Sequence, residues 1–143
     1  MSLTRRQSRE EVFKLLFEAE FQKEIPANIL LEDFIINCEN DDIANNEYIK
    51  TVFLGAMLDS VNVEELINKF SVGWNIKRIS KVSLAVIKLA VYEIAHLPDV
   101  AVNIAINEAI ELSKKYDDEK MSAFVNGILG KISKEINICE KNI

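Results

Sequence analysis

Arg5, Arg6 and Arg9 all fall within the opening stretch MSLTRRQSREEVFKLLFEAEF. At about 100° per residue they occupy about one third of a helix circumference. Three guanidiniums grouped this way, beside the exposed backbone N–H groups of a helix start, suit phosphate. The placement opposes local electrostatics. A helix N-terminus carries roughly half a positive charge, and each cation there is disfavoured by about 0.3–1 kcal/mol. No apolar residue occurs between Leu3 and Val12, so these turns are expected to overhang the core. Choices that go against local preference tend to mark function. The plainer alternative is a solvated helix start whose charge Glu10 and Glu11 balance.

A second group lies near the C-terminus. Val125, Ile128, Leu129, Ile132 and Ile136 share one face of a helix, Phe124 sits close to a right angle from its centre, and Lys120 and Lys131 project nearby. An aromatic rim beside lysines suits base stacking with phosphate contact, the usual way of holding single-stranded RNA. The alternative is a phenylalanine covering the edge of the core.

Catalytic chemistry is poorly supported. His96, the single histidine, stands at a helix end before Leu97-Pro98, where contact with the helix dipole is its ordinary role. Gly55, Gly73, Gly127 and Gly130 form no phosphate-cradling loop, and no His/Cys cluster has metal spacing. Neither a cofactor nor a metal is expected. Glu93, set in an apolar helix, is expected to pair with a lysine or arginine rather than catalyse.

These residues need helices to position them, and the central one is 82–95, VSLAVIKLAVYEIA. Apolar side chains cover nearly its whole surface, interrupted by Ser83, Lys88 and Glu93, as in a buried core helix. It is too short to span a bilayer. Around it the patterns predict an all-α fold of about seven helices, without strand alternation. The first runs from about Arg5 to Phe21, with capping-box spacing at Thr4–Gln7 and at Ser8–Glu11. The second starts at Pro26 and reaches about Cys38; residues 39–46 read as an acidic loop. The third spans Glu47 to about Val61, and Asn62 with Glu65 caps a fourth through Phe70. Gly73 and Trp74 interrupt before the central helix, which Ser80 caps. The sixth spans Val102–Tyr116, its core face including Ala105, Ala109, Leu112 and Tyr116, while Asn103, Asn107, Glu111 and Lys114 face away. The seventh spans about Ser122–Ile138, capped by Ser122. The expected organisation is a single domain, 1–143, of two lobes, about 1–61 and 62–143, sharing a core.

The net charge of −6 argues at first against nucleic acid, but it is unevenly spread. Residues 1–14 carry a net +2, residues 15–65 a net −10, and residues 66–143 a net +2. An anion-binding face outside the acidic third is therefore allowed. Cys38 and Cys139 lie far apart without motif spacing, which suggests buried thiols in a reducing compartment. The N-terminus has no signal-peptide h-region, so a cytoplasmic, non-membrane protein is expected.

Four blocks carry a resemblance: Arg5-Arg6-Gln7-Ser8-Arg9-Glu10; the central run Val82–Glu93; Val102-Asn103-Ile104-Ala105-Ile106-Asn107-Glu108-Ala109-Ile110-Glu111-Leu112; and, after it, Phe124-Val125-Asn126-Gly127-Ile128-Leu129. Together they resemble the NusB family of transcription antitermination factors over nearly the whole chain. The resemblance implies two three-helix bundles sharing a core, and a non-enzymatic protein. It implies binding to the boxA element of nascent ribosomal RNA beside the small-subunit ribosomal protein NusE, within an RNA polymerase antitermination complex. It assigns RNA contacts to Arg5, Arg6, Arg9, Lys120, Phe124 and Asn126, and NusE contacts to Lys81 and Ser83. Phe17 stands where the family usually has tyrosine, and Ser83 where an acidic residue is common.

Rival readings are a helical adaptor without RNA specificity and a stand-alone relative of an RNA methyltransferase N-terminal domain. The chain's end at Ile143, which leaves no room for a nucleotide-binding sheet, speaks against the latter. Exposed apolar residues leave room for a homodimer that covers the arm.

Overall fold

The computed structural model describes residues 2–71 and 78–141, with side chains through residue 136. Among the described residues there are eight helices and no strand: α1 (Arg5–Phe21), α2 (Ala27–Asn37), α3 (Asp41–Ala44), α4 (Glu47–Leu58), α5 (Ser60–Phe70), α6 (Lys81–His96), α7 (Val102–Tyr116) and α8 (Glu119–Lys141).

α6 is the axis of the fold. It packs against α1 and α4 on one side, against α7 and α8 on another, and against α5. Every residue from Ser83 to Val91 is buried, as the near-continuous apolar surface requires. Its polar interruptions are all accommodated. Ser83 accepts from Ser80 Oγ at 3.0 Å, and Lys88 Nζ donates to Glu20 Oε2 at 2.6 Å. Glu93 takes an arginine, described below. Gly55 lets α4 approach α6: a Cβ there would lie 2.2 Å from the Tyr92 ring.

Several helix ends follow the expected chemistry. Thr4 accepts from the Gln7 amide at 3.1 Å and its own amide donates to the Gln7 side chain at 2.9 Å, a closed capping box. Ser80 accepts from the Ser83 amide at 3.0 Å and starts α6. α7 has the expected limits, with Asn103, Asn107, Glu111 and Lys114 exposed.

Others differ. The acidic 39–46 segment contains the one-turn α3, started by Asn40, whose side chain accepts from the Asp42 amide, and it ends at Asn46, which caps α4. α4 stops at Leu58, and α5 begins after the single residue Asp59, so Asn62 lies inside α5 rather than capping it. α8 starts at Glu119, not Ser122: Asp118 accepts from the Met121 amide at 2.9 Å, and Ser122 is buried one turn in. Ser8 caps nothing; it is buried and accepts from Asn46 Nδ2 at 3.0 Å, tying α1 to the start of α4. Cys38 is half-buried rather than buried. The Cys139 side chain, Gly73 and Trp74 lie outside the described residues.

Candidate nucleic-acid interface

The first turns of α1 do not overhang as a unit. Arg5 and Arg6 are exposed, but Ser8 and Arg9 are buried, Arg9 at 4% exposure. This corrects the expectation that all three arginines project. Arg9 stands three residues before Val12, four before Phe13 and seven before Leu16, so it lies on the stripe that packs inward. Its Nε donates to Glu93 Oε1 at 2.7 Å and its Nη2 to Glu93 Oε2 at 2.9 Å, a parallel two-bond pair. Burial works against the charge on Arg9, but the bonds and charge of Glu93 outweigh it and raise the guanidinium pKa. Glu93 thus fills the expected role of an ion-pair partner.

Arg6 is anchored but open. Its Nε donates to both Glu108 oxygens at 3.2 Å and its Nη2 to Oε1 at 2.9 Å, while its side chain stays 73% exposed. The hydrogen bond and charge of Glu108 raise its pKa. Arg5 lies over the Tyr48 ring, 4.5 Å from the centroid. Burial, and then the charge of Glu93, push the Tyr48 phenol up. The arm therefore presents two guanidiniums, each steadied from one side.

Beside it lies a cleft of about 260 Å³ lined by Arg6, Arg9, Glu10, Glu108, Leu112 and Lys115, among others. Glu10 accepts from Lys115 Nζ at 2.6 Å and from the Tyr116 hydroxyl. The Lys115 hydrogen bond, then that of Tyr116, hold the Glu10 carboxyl below the usual carboxylate range. Tyr116, expected in the core, is 38% exposed: its ring tilts onto Phe13 at 4.8 Å while its hydroxyl reaches Glu10. In the sequence Tyr116 reads as a core residue, and nothing there marks Glu108, Lys115 or Tyr48 for this site. The available signal was Glu93, an acid on an apolar helix that needed a cation, with Arg9 at core spacing.

On α8, half-buried Phe124 packs against the core edge and lines a groove of about 180 Å³ with Phe70, Ile128 and Lys131, among others. Gly127 leaves that groove open, since a Cβ there would meet nothing. Lys131 Nζ donates to the Phe70 carbonyl at 3.4 Å. Lys120 is exposed one turn before Phe124. Asn126 is exposed in a separate shallow groove with Lys114, Glu119 and Ser122; the two grooves share Ala123. Lys81 is half-buried at the start of α6. Ser83 is 0% exposed, which corrects its expected role in partner contact: its hydroxyl is enclosed beside Ser80. Among the described residues, no group of three or more His, Cys, Asp or Glu side chains is placed to hold a metal, and no helix is long and apolar enough to cross a membrane.

The NusB family model matches residues 6–134. The chain belongs to the NusB family. The transcription antitermination protein NusB of Acetivibrio thermocellus is 45% identical over 133 residues, covering 91% of this chain and 88% of that protein. NusB of Natranaerobius thermophilus is 35% identical over 136 residues, covering 94% and 98%. Among solved structures, T. maritima NusB superposes with a TM-score of 0.80 at 33% identity, covering 94% of each chain. A chain from a complex of antitermination factors NusB and NusE with double-stranded RNA gives 0.74 at 28% identity, covering 92% of this chain and 96% of that one. The all-helical NusB fold expected from the sequence is the fold found.

Proposed function

We propose that this chain is an RNA-binding transcription antitermination factor that takes the boxA element of nascent ribosomal RNA together with the ribosomal protein NusE, within an RNA polymerase complex. One observation carries the reading. Arg5 and Arg6 stand exposed at the end of a firmly packed helix, in a chain whose fold matches a NusB solved with NusE and RNA. Arg6, with Arg5 beside it, takes backbone phosphates, which fix position without reading sequence. Phe124 stacks on a base at its groove, and Lys120 and Asn126 add charge and hydrogen bonding from α8. Arg9 serves from inside, holding the helix that carries Arg6. Lys81, at the start of α6, faces NusE. The protein acts by binding, without a chemical step of its own, in the cytoplasm.

With a net charge of −6 and few free cations on this face, the chain alone binds RNA weakly, and NusE raises the affinity by adding contacts. The test is titration of boxA RNA and of a scrambled RNA of equal length, at fixed salt, with and without NusE. Preference for boxA, strengthened by NusE, is the expected result. Equal binding of both RNAs in both conditions overturns it.

A further inference from the structure

Arg6 reaches solvent with one edge of its guanidinium already taken. Glu108 Oε1 lies 2.9 Å from Arg6 Nη2, and the same oxygen lies 3.9 Å from Arg9 Nη1. Side-chain exposure climbs along this series: Glu93 1%, Arg9 5%, Glu108 15%, Arg6 73%. Arg9 is held by Glu93 through two short bonds, so its charge is largely spent there. Glu108 therefore sets its charge mainly against Arg6, at the boundary between the buried pair and water. The Glu108 carboxylate accepts three hydrogen bonds from Arg6 and is only 15% exposed, so it is not a freely moving surface acid.

We propose that Glu108 is a built-in counter-ion that limits how tightly this chain alone holds an RNA backbone. An incoming phosphate meets an arginine that is already neutralised, with a fixed negative charge behind it. The phosphate term in RNA binding scales with the cations free to replace condensed counter-ions, and Glu108 removes about one from that number. Binding then depends on contacts from a second protein. The inference rests on the RNA-binding reading above.

The test compares wild type, Glu108→Gln, Arg6→Ala and the double variant, titrated with boxA and scrambled RNA at several salt concentrations, without NusE. Glu108→Gln is expected to tighten both RNAs about fivefold at low salt, the size of one charge–charge contact in water. It should also steepen the slope of log K against log salt by about one. Neither change should appear in the Arg6→Ala background. Glu108→Asp, which keeps the charge, should restore the wild-type slope, and thermal melts confirm that each variant folds. Weaker binding with an unchanged slope would show that Glu108 merely positions the arm, and overturns the proposal. So does equal tightening with Arg6 absent. If wild type binds RNA and the glutamine variant matches it, this inference alone fails; if wild type binds neither RNA, even after NusE is added, the RNA-binding reading fails and takes it along.

Discussion

Arg9 and Glu93 face each other across α1 and α6 with two parallel hydrogen bonds, 2.7 and 2.9 Å long, and side chains 5% and 1% exposed. A pair this enclosed is expensive to break from one side, because the remaining charge has no water to turn to. Arg9→Ala or Glu93→Ala should each lower unfolding free energy by about 3–5 kcal/mol in urea denaturation. The double variant Arg9→Met, Glu93→Leu should recover most of that loss. A single variant as stable as wild type would mean the pair does not hold α1.

Arg6 should behave in the opposite way. Its guanidinium is 73% exposed, and exposed ion pairs contribute little to folding, about 0–1 kcal/mol. Arg6→Ala is expected to leave the melting temperature nearly unchanged and to weaken boxA and scrambled RNA alike; the fall of about one in the salt slope should appear when it is made in the Glu108→Gln variant, where Arg6 is unpaired. Replacing Arg6 and Arg9 together would confound binding with unfolding, so Arg6 alone is the informative change.

Glu10 links α1 to the end of α7 and carries a pH dependence. Its carboxyl pKa is lowered in the folded state by the Lys115 hydrogen bond and then by that of Tyr116. Its stabilising contribution is therefore present above the ordinary carboxylate value of 4.5 and is lost as pH falls through the lower folded value. Glu10→Gln should be less stable than wild type at neutral pH and converge with it in acid. Melting curves from pH 7 down to about pH 3 measure this; parallel curves would refute the assignment.

Phe124 has to be tested with its packing in view, since it borders the core. Phe124→Ala should cost RNA binding about 1–3 kcal/mol, the usual worth of one stacked base. Phe124→Leu should keep the melting temperature and still lose most of that affinity. Wild-type affinity in the leucine variant would remove base stacking from the α8 groove.

The sequence announces the fold more clearly than the site. The nearly all-round apolar surface of 82–95 marks an enclosed helix, and Thr4–Gln7 and Ser80 mark two starts through capping chemistry that acts within one turn. The short α3 and the abutting ends of α4 and α5 were hidden, because Asn40, Asn46 and Asp59 read equally well as loop residues. The residue type of Arg9 points the wrong way. Charge suggested solvent, while its spacing to Val12 and Leu16 placed it inward, and the deciding partner lay 84 residues away on Glu93. Glu108 was illegible for the same reason: its role depends on which helix α7 lies beside, and no local pattern encodes that.

The second enclosed ion pair along α6 gives the fold a sense of direction. Glu93 meets a cation near the beginning of α1, and Lys88 meets an anion, Glu20, near its far end. Reversing α1 against α6 would press Arg9 toward Lys88 and Glu20 toward Glu93, like against like with no water to separate them. The two contacts work as a polarised plug that seats one way round, so the end of α1 bearing Arg5 and Arg6 is delivered to the α7 side of the molecule each time the chain folds.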